Sequence, residues 1–124
     1  MAFEIPILQV TRNAGSDLSA HQYKFVIIEA DDDLAVAGAG VAAFGVLQDK
    51  PDAEGRAGNV MVVGISKVEA GATIASGARV MSNATGQAIT LATAASVCVG
   101  YCVVGGAVGQ LITVALGIGG DLHA

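Results

Sequence analysis

Short apolar runs separated by glycine-rich and polar turns follow one another along the whole chain. Residues 3–10 alternate around Ile5, Ile7 and Val10, and residues 23–29 hold a run of apolar side chains that ends at an aspartate triplet. Runs of this length, rich in β-branched residues and bounded by turn residues, are typical of β-strands. The pattern therefore predicts an all-β chain, folded as a small antiparallel β-barrel or sandwich of short strands with Gly-rich turns. Further strands are predicted at residues 41–48, 59–68, 79–82, 88–91, 97–104 and 111–116.

Two stretches share one pattern, in which an apolar run, a loop, a glycine with a polar residue and a second apolar run follow in order. Residues 44–63 form the first copy and residues 99–114 form the second. Each copy is typical of a β-hairpin. The loop of the first hairpin is charged and is expected to face water, whereas the loop at residues 103–108 is apolar and is expected to be covered.

One long stretch in the second half of the chain lacks charge, since not one charged side chain occurs between Val80 and Gly120. Charged residues make up 14% of the 124 residues and hydrophobic residues 53%, against about 25% charged in a typical globular protein. A small monomer exposes much of its surface to water, and this chain has too few charged residues to cover such a surface. We therefore expect burial of this stretch in a core, in an interface between subunits, or in lipid.

Of these three environments, lipid has the least support from the sequence. Residues 97–119 are long enough to span a membrane, and Gly105 and Gly109 have the spacing of a helix-packing motif. The stretch is, however, rich in glycine and β-branched residues, and no Lys or Arg follows Arg79 to anchor it. It also repeats the pattern of the charged first hairpin, so we expect no membrane partner.

The charge balance and the reactive side chains exclude other classes of function. The net charge is −5 and the six Lys and Arg residues are dispersed, whereas nucleic-acid binding needs clustered basic residues. Residues 38–43 match a dinucleotide-binding glycine pattern, but a turn follows where a helix is required. Cys98 and Cys102 have no nearby ligands that would complete a zinc site. We expect no nucleic-acid partner, no cofactor, no metal and no enzymatic activity.

The beginning of the chain differs from the rest. Residues 11–20 are polar and fit a connector, so we divide the chain into an N-terminal arm at residues 1–20 and a single β domain at residues 21–124. The first residues have neither the basic nor the apolar region of a secretion signal. We therefore expect synthesis in a cytoplasm.

Four ordered stretches carry a family resemblance: DLSAHQYKF at residues 17–25, GVLQDKP at 45–51, GISKV at 64–68 and GQLITVAL at 109–116. Their order and spacing resemble those of the small capsid decoration, or cement, proteins of tailed bacteriophages and prophages. The resemblance implies a compact β-barrel-like domain without catalytic residues. It further implies a homotrimer on the outer surface of an icosahedral head, where it bridges neighbouring major capsid subunits after synthesis in the host bacterial cytoplasm.

Two sets of candidate contact residues follow. The arm is the candidate capsid contact, because an extended apolar segment can add a strand to an exposed sheet edge on the shell. The same residues fit the first strand of the barrel equally well. The candidate capsid-contact residues are Phe3, Ile5, Pro6 and Ile7, and the candidate subunit-interface residues are Val103, Val104, Ala107 and Val108.

A different class of function remains as the alternative. A phage or prophage particle can also carry a surface-exposed module that binds carbohydrate or the host surface. Such sites usually present exposed aromatic side chains, and the chain has no Trp. We therefore expect the structural role.

Overall fold

A computed structural model of the chain describes residues 2–91 and 97–116, and within these ranges it contains β-strands and no helix. The named strands pair antiparallel throughout and form a single curled sheet, a half-barrel. This confirms the all-β prediction. The strands are β1 (Ile5–Asn13), β2 (Phe25–Ile28), β3 (Leu34–Val36), β4 (Gly45–Leu47), β5 (Ala57–Glu69), β6 (Arg79–Ser82), β7 (Ala88–Thr90), β8 (Gly100–Val104) and β9 (Leu111–Leu116).

Strand β5 is the central strand of the sheet and pairs with three others among the described residues. The strand order is β3-β2-β4-β5-β9-β8-β6-β7, and β1 pairs separately with β5. Along one edge, β5 pairs first with β4 and then with β9. Along the other edge it pairs with β1. Ile65 therefore has Ile5 on one side and Ala115 on the other.

The sheet curls so far that its two ends meet. The N–H of Phe25 on β2 donates to the carbonyl oxygen of Gly86, in the turn between β6 and β7, at 2.7 Å. Gly86 has a φ of +79°, and a Cβ there would lie 2.9 Å from the Phe25 carbonyl oxygen and 2.8 Å from Val36 Cγ1. Only glycine permits this approach without strain.

The core consists of two clusters on opposite faces of the sheet, and the larger one fills the inside of the curl. Inward-facing residues of β5, β8 and β9, among them Val68, Cys102 and Ile112, pack on Phe25 and Met61, and a second cluster surrounds Leu34 and Leu47. Burying each large apolar side chain stabilises the fold by about 1.5–3 kcal/mol. The buried hydroxyls of Ser66, Ser82 and Thr113 all have hydrogen-bond partners.

Most predicted strands are present, with differences at their ends. Both predicted hairpins are confirmed as β4–β5 and β8–β9. β3 was not predicted, and β1 continues to Asn13, into the segment expected to be a polar connector. Residues 92–96 and 117–120 of the charge-free stretch lie outside the described residues. Across the ranges that are described, no helix is long and apolar enough to cross a membrane.

Candidate functional site

Strand β1 is an edge strand whose side chains are largely exposed. One of its edges pairs with β5, and no other named strand within residues 2–91 and 97–116 pairs with it. Ile5 is 52% exposed, Ile7 73% and Leu8 49%. An ordinary edge strand packs one face on the core, whereas this part of β1 presents apolar side chains on both faces.

A bulge at Ile7 interrupts the pairing of this part of β1 with β5. The pairing passes from Pro6 opposite Gly64 to Leu8 opposite Val63, so Ile7 has no partner in β5. Gly64 has a φ of +132°, and a Cβ there would lie 2.6 Å from the Ile5 carbonyl oxygen and 2.8 Å from the Ile7 nitrogen. Glycine at this position lets the bulged strand lie against β5, because any side chain would meet the backbone of β1.

The residues before β1 cross the sheet and reach β9. The N–H of Phe3 donates to Thr113 Oγ1 at 3.1 Å, and Thr113 is fully buried. Phe3 itself remains 38% exposed. The four predicted capsid-contact residues, Phe3, Ile5, Pro6 and Ile7, are thus all on the surface, and they are held by contacts to β5 and β9.

The arm borders an apolar row on the outer face of the sheet. Directly paired residues of neighbouring strands share one face, and the pairing joins Ile5, Ile65, Ala115 and Tyr101 across four strands. Tyr101 is 50% exposed, much as Ile5 is. Leu8 and Tyr101 could not be selected from the sequence, because their exposure depends on which strands become neighbours in the sheet.

Of the predicted subunit-interface residues, Val103 and Val104 end strand β8, whereas Ala107 and Val108 lie in the loop between β8 and β9. Val103 and Val104 are half-buried, whereas Ala107 and Val108 are exposed, Val108 at 64%. Two backbone hydrogen bonds between Gly106 and Ile74 fix the middle of the loop. The anchored loop therefore points its apolar tip away from the core of this subunit.

The charged loop between β4 and β5 faces water, as predicted. Arg56 and Asp52 form an ion pair at 3.2 Å, with side chains 68% and 64% exposed. An exposed pair of this kind contributes about 0–1 kcal/mol at most. The loop borders an open depression of about 530 Å³ lined by Asp49, Lys50, Pro51, Asp52, Arg56 and Ala57.

The motif at residues 17–25 builds a structured loop. Asp17 Oδ1 accepts hydrogen bonds from both the N–H and the hydroxyl of Ser19, which lower the pKa of Asp17. Leu18 is buried, and Tyr23 adopts a left-handed φ of 63°. Tyr23 is held there because its N–H donates to Leu47 and its carbonyl accepts from Glu69.

A polar network lies beside this loop. Lys24 Nζ is 3.3 Å from His21 Nδ1 and 3.8 Å from Glu69 Oε2, and Glu69 also accepts a hydrogen bond from Gln87. Burial, with the nearby Lys24 charge, lowers the pKa of His21. Burial likewise raises the pKa of the Cys102 thiol. Within the described part of the chain, no group of three or more His, Cys, Asp or Glu residues could hold a metal ion.

The fold and the surface define a small all-β protein with exposed apolar side chains on strand β1 and in the loop between β8 and β9. Its fold is similar to that of the N-terminal base of the head fibre protein gp8.5 of bacteriophage phi29, with a TM-score of 0.67, 21% sequence identity, and coverage of 88% of this chain and 92% of that one. The model of the phage cement protein family matches residues 6–118, and the chain belongs to that family. No curated protein sequence matches the chain.

Family membership confirms the resemblance found in the sequence. The protein is a structural protein of the phage head, it is located in the virion, and it associates with the capsid.

Proposed function

We propose that the protein binds the outer surface of an icosahedral phage head and cements neighbouring major capsid subunits, which stabilises the shell. The family match over residues 6–118 carries this proposal. The net charge of −5 supports an outer position, since a DNA-lined interior favours basic proteins. The role is structural and involves no catalysis, cofactor, nucleic acid or membrane.

The arm is the proposed contact with the major capsid protein. Phe3, Ile5, Pro6 and Ile7 are exposed in the isolated subunit, and Glu4 is the one charged residue from residue 2 to residue 11. The cores of protein interfaces are depleted in charge. An exposed segment with a single charge that is attached to a sheet therefore suits burial against a partner.

The proposed assembly is a homotrimer in which Val103, Val104, Ala107 and Val108 lie at the interface between copies. Exposed Val108, in a stretch without charged side chains, supports this position. A trimer presents three copies of one weak contact, so docking of one subunit raises the effective concentration of the others. Avidity of this kind raises affinity by about 10²–10⁴.

Phage heads that lack their own decoration protein provide the test. The purified protein is incubated with such heads, bound protein is measured by co-sedimentation, and the disassembly temperature of the heads is recorded. We expect saturable binding and a higher disassembly temperature, together with a trimer in analytical ultracentrifugation of the free protein. Heads that bind no protein would overturn the proposal, and a monomer would overturn the trimeric arrangement.

A surface module that binds carbohydrate or the host has less support. All five aromatic residues are in the described part of the chain. Phe25 is buried, Tyr23 and Phe44 are half-buried, and only Phe3 and Tyr101 are exposed. Binding to glycans without binding to heads would favour this alternative.

A further inference from the structure

We propose that residues 5–8 contact the shell through their side chains, which enter an apolar depression on the major capsid protein, and that the open edge of β1 does not add a strand to a sheet of the shell over these residues. This inference rests on the proposed function and specifies how the arm makes its contact. It replaces strand addition, the mode expected from the sequence, for this part of β1.

The first observation concerns Pro6. The Ile5 carbonyl oxygen and the Ile7 nitrogen approach Gly64, at 2.6 and 2.8 Å from the position of a Cβ there, so both groups face β5. Backbone polar groups of successive residues in a strand point to opposite edges, which places the nitrogen and oxygen of Pro6 at the open edge. Proline has no N–H. The open edge therefore lacks a donor at the centre of the apolar segment.

The second observation is the bulge at Ile7. An added strand needs a regular alternation of donors and acceptors along the edge, and a bulge interrupts it. Proline and bulges are the devices by which edge strands avoid further pairing. In β1 both occur within two consecutive residues, Pro6 and Ile7.

The third observation is where the apolar surface lies. Ile5, Ile7 and Leu8 are each about half exposed or more, and successive side chains of a strand point to opposite faces, so apolar surface lies on both faces of the strand. Glu4 is the one charge in residues 2–11. The complementary surface is therefore apolar and nearly uncharged, and family membership makes the shell its source.

Two substitutions separate side-chain contact from strand addition. Ile7→Thr keeps a β-branched side chain and the backbone but removes apolar surface, so binding to undecorated heads should weaken by at least about tenfold. Pro6→Ala restores the missing donor at the open edge, and binding should stay within about twofold of the wild type because the edge is not used for pairing. Val41→Thr, at a residue 37% exposed outside the strands, is the matched control and should bind like the wild type.

The binding of these variants distinguishes side-chain contact from strand addition. Unchanged binding of Ile7→Thr, or much tighter binding of Pro6→Ala, would overturn side-chain contact in favour of strand addition. A changed sedimentation coefficient of free Ile7→Thr would also overturn it, since it would place Ile7 between copies of this chain. Unfolding midpoints equal to the wild type exclude misfolding as the cause of weaker binding. Absence of head binding by the wild type would instead refute the proposed function itself.

Discussion

Gly64 holds the arm on the sheet, and Gly64→Ala is the sharpest test of that attachment. The new Cβ would lie 2.6 Å from the Ile5 carbonyl oxygen, 2.8 Å from the Ile7 nitrogen and 3.2 Å from Pro6 Cα. All three are backbone atoms of β1, so a side-chain rotation cannot relieve the contact. Either β1 moves away from β5 or the backbone at residue 64 changes.

Two contributions determine how much the free energy of unfolding falls in Gly64→Ala. A side chain at a φ of +132° is strained, which costs about 1–3 kcal/mol. The forced displacement of the β1 backbone costs about 1–3 kcal/mol more. The expected loss is therefore about 2–6 kcal/mol, a large part of the roughly 5–15 kcal/mol that stabilises a typical domain.

Gly109→Ala is the matched control, because Gly109 has a φ of +82° and no atom lies within 4 Å of a Cβ there. It carries the backbone strain alone, about 1–2 kcal/mol. Urea unfolding followed by circular dichroism measures both variants. Hydrogen exchange should in addition become faster at residues 57–61 in Gly64→Ala only. Variants that agree within about 0.5 kcal/mol would refute the attachment at Gly64.

Three further predictions test the core, the arm and the polar network. Phe25→Ala should destabilise the protein by about 3–5 kcal/mol in urea unfolding, since Phe25 is fully buried, and a loss below about 1 kcal/mol would contradict the assignment of the core. Thr113→Val should lower stability by about 1–3 kcal/mol, because it leaves the Phe3 N–H without its acceptor; unchanged stability would show that Phe3 is not held there. The lowered pKa of His21 means that the unfolded chain binds a proton more readily, so the stability present above about pH 6.5 should decline as the pH falls below that value. His21→Gln should flatten this decline in thermal unfolding at a series of pH values, and an identical pH profile would refute the role of His21.

The alternation of apolar residues was enough to predict most of the strands, because each of these strands has one face on the core. β3 escaped prediction since it is short and follows the left-handed Asp32, with a φ of 70°, directly after a run of acidic residues. The polar end of β1 was missed for a different reason. Thr11 and Asn13 pair with β5 through the backbone, which needs no apolar side chain.

The geometry of the arm could not be predicted from the sequence. The residues from Phe3 to Ile7 fitted both a contact arm and a first strand, and in the structure they include a strand whose side chains are nevertheless exposed. The close approach of β1 to β5 depends on Gly64, which is distant in sequence. A pattern read locally contains no information about such a partner.

The position of β5 between β1 and β9 has a consequence for biosynthesis. Ile65 joins Ile5, from the beginning of the chain, to Ala115, which is made last among the three. Pairing between segments so far apart makes folding slow. β1 cannot dock until the ribosome has made β5, and the core remains open until β9 emerges. During that interval the side chains that will form the core, such as Phe25 and Met61, are accessible to other chains and to chaperones, so productive folding competes with aggregation until translation passes residue 116.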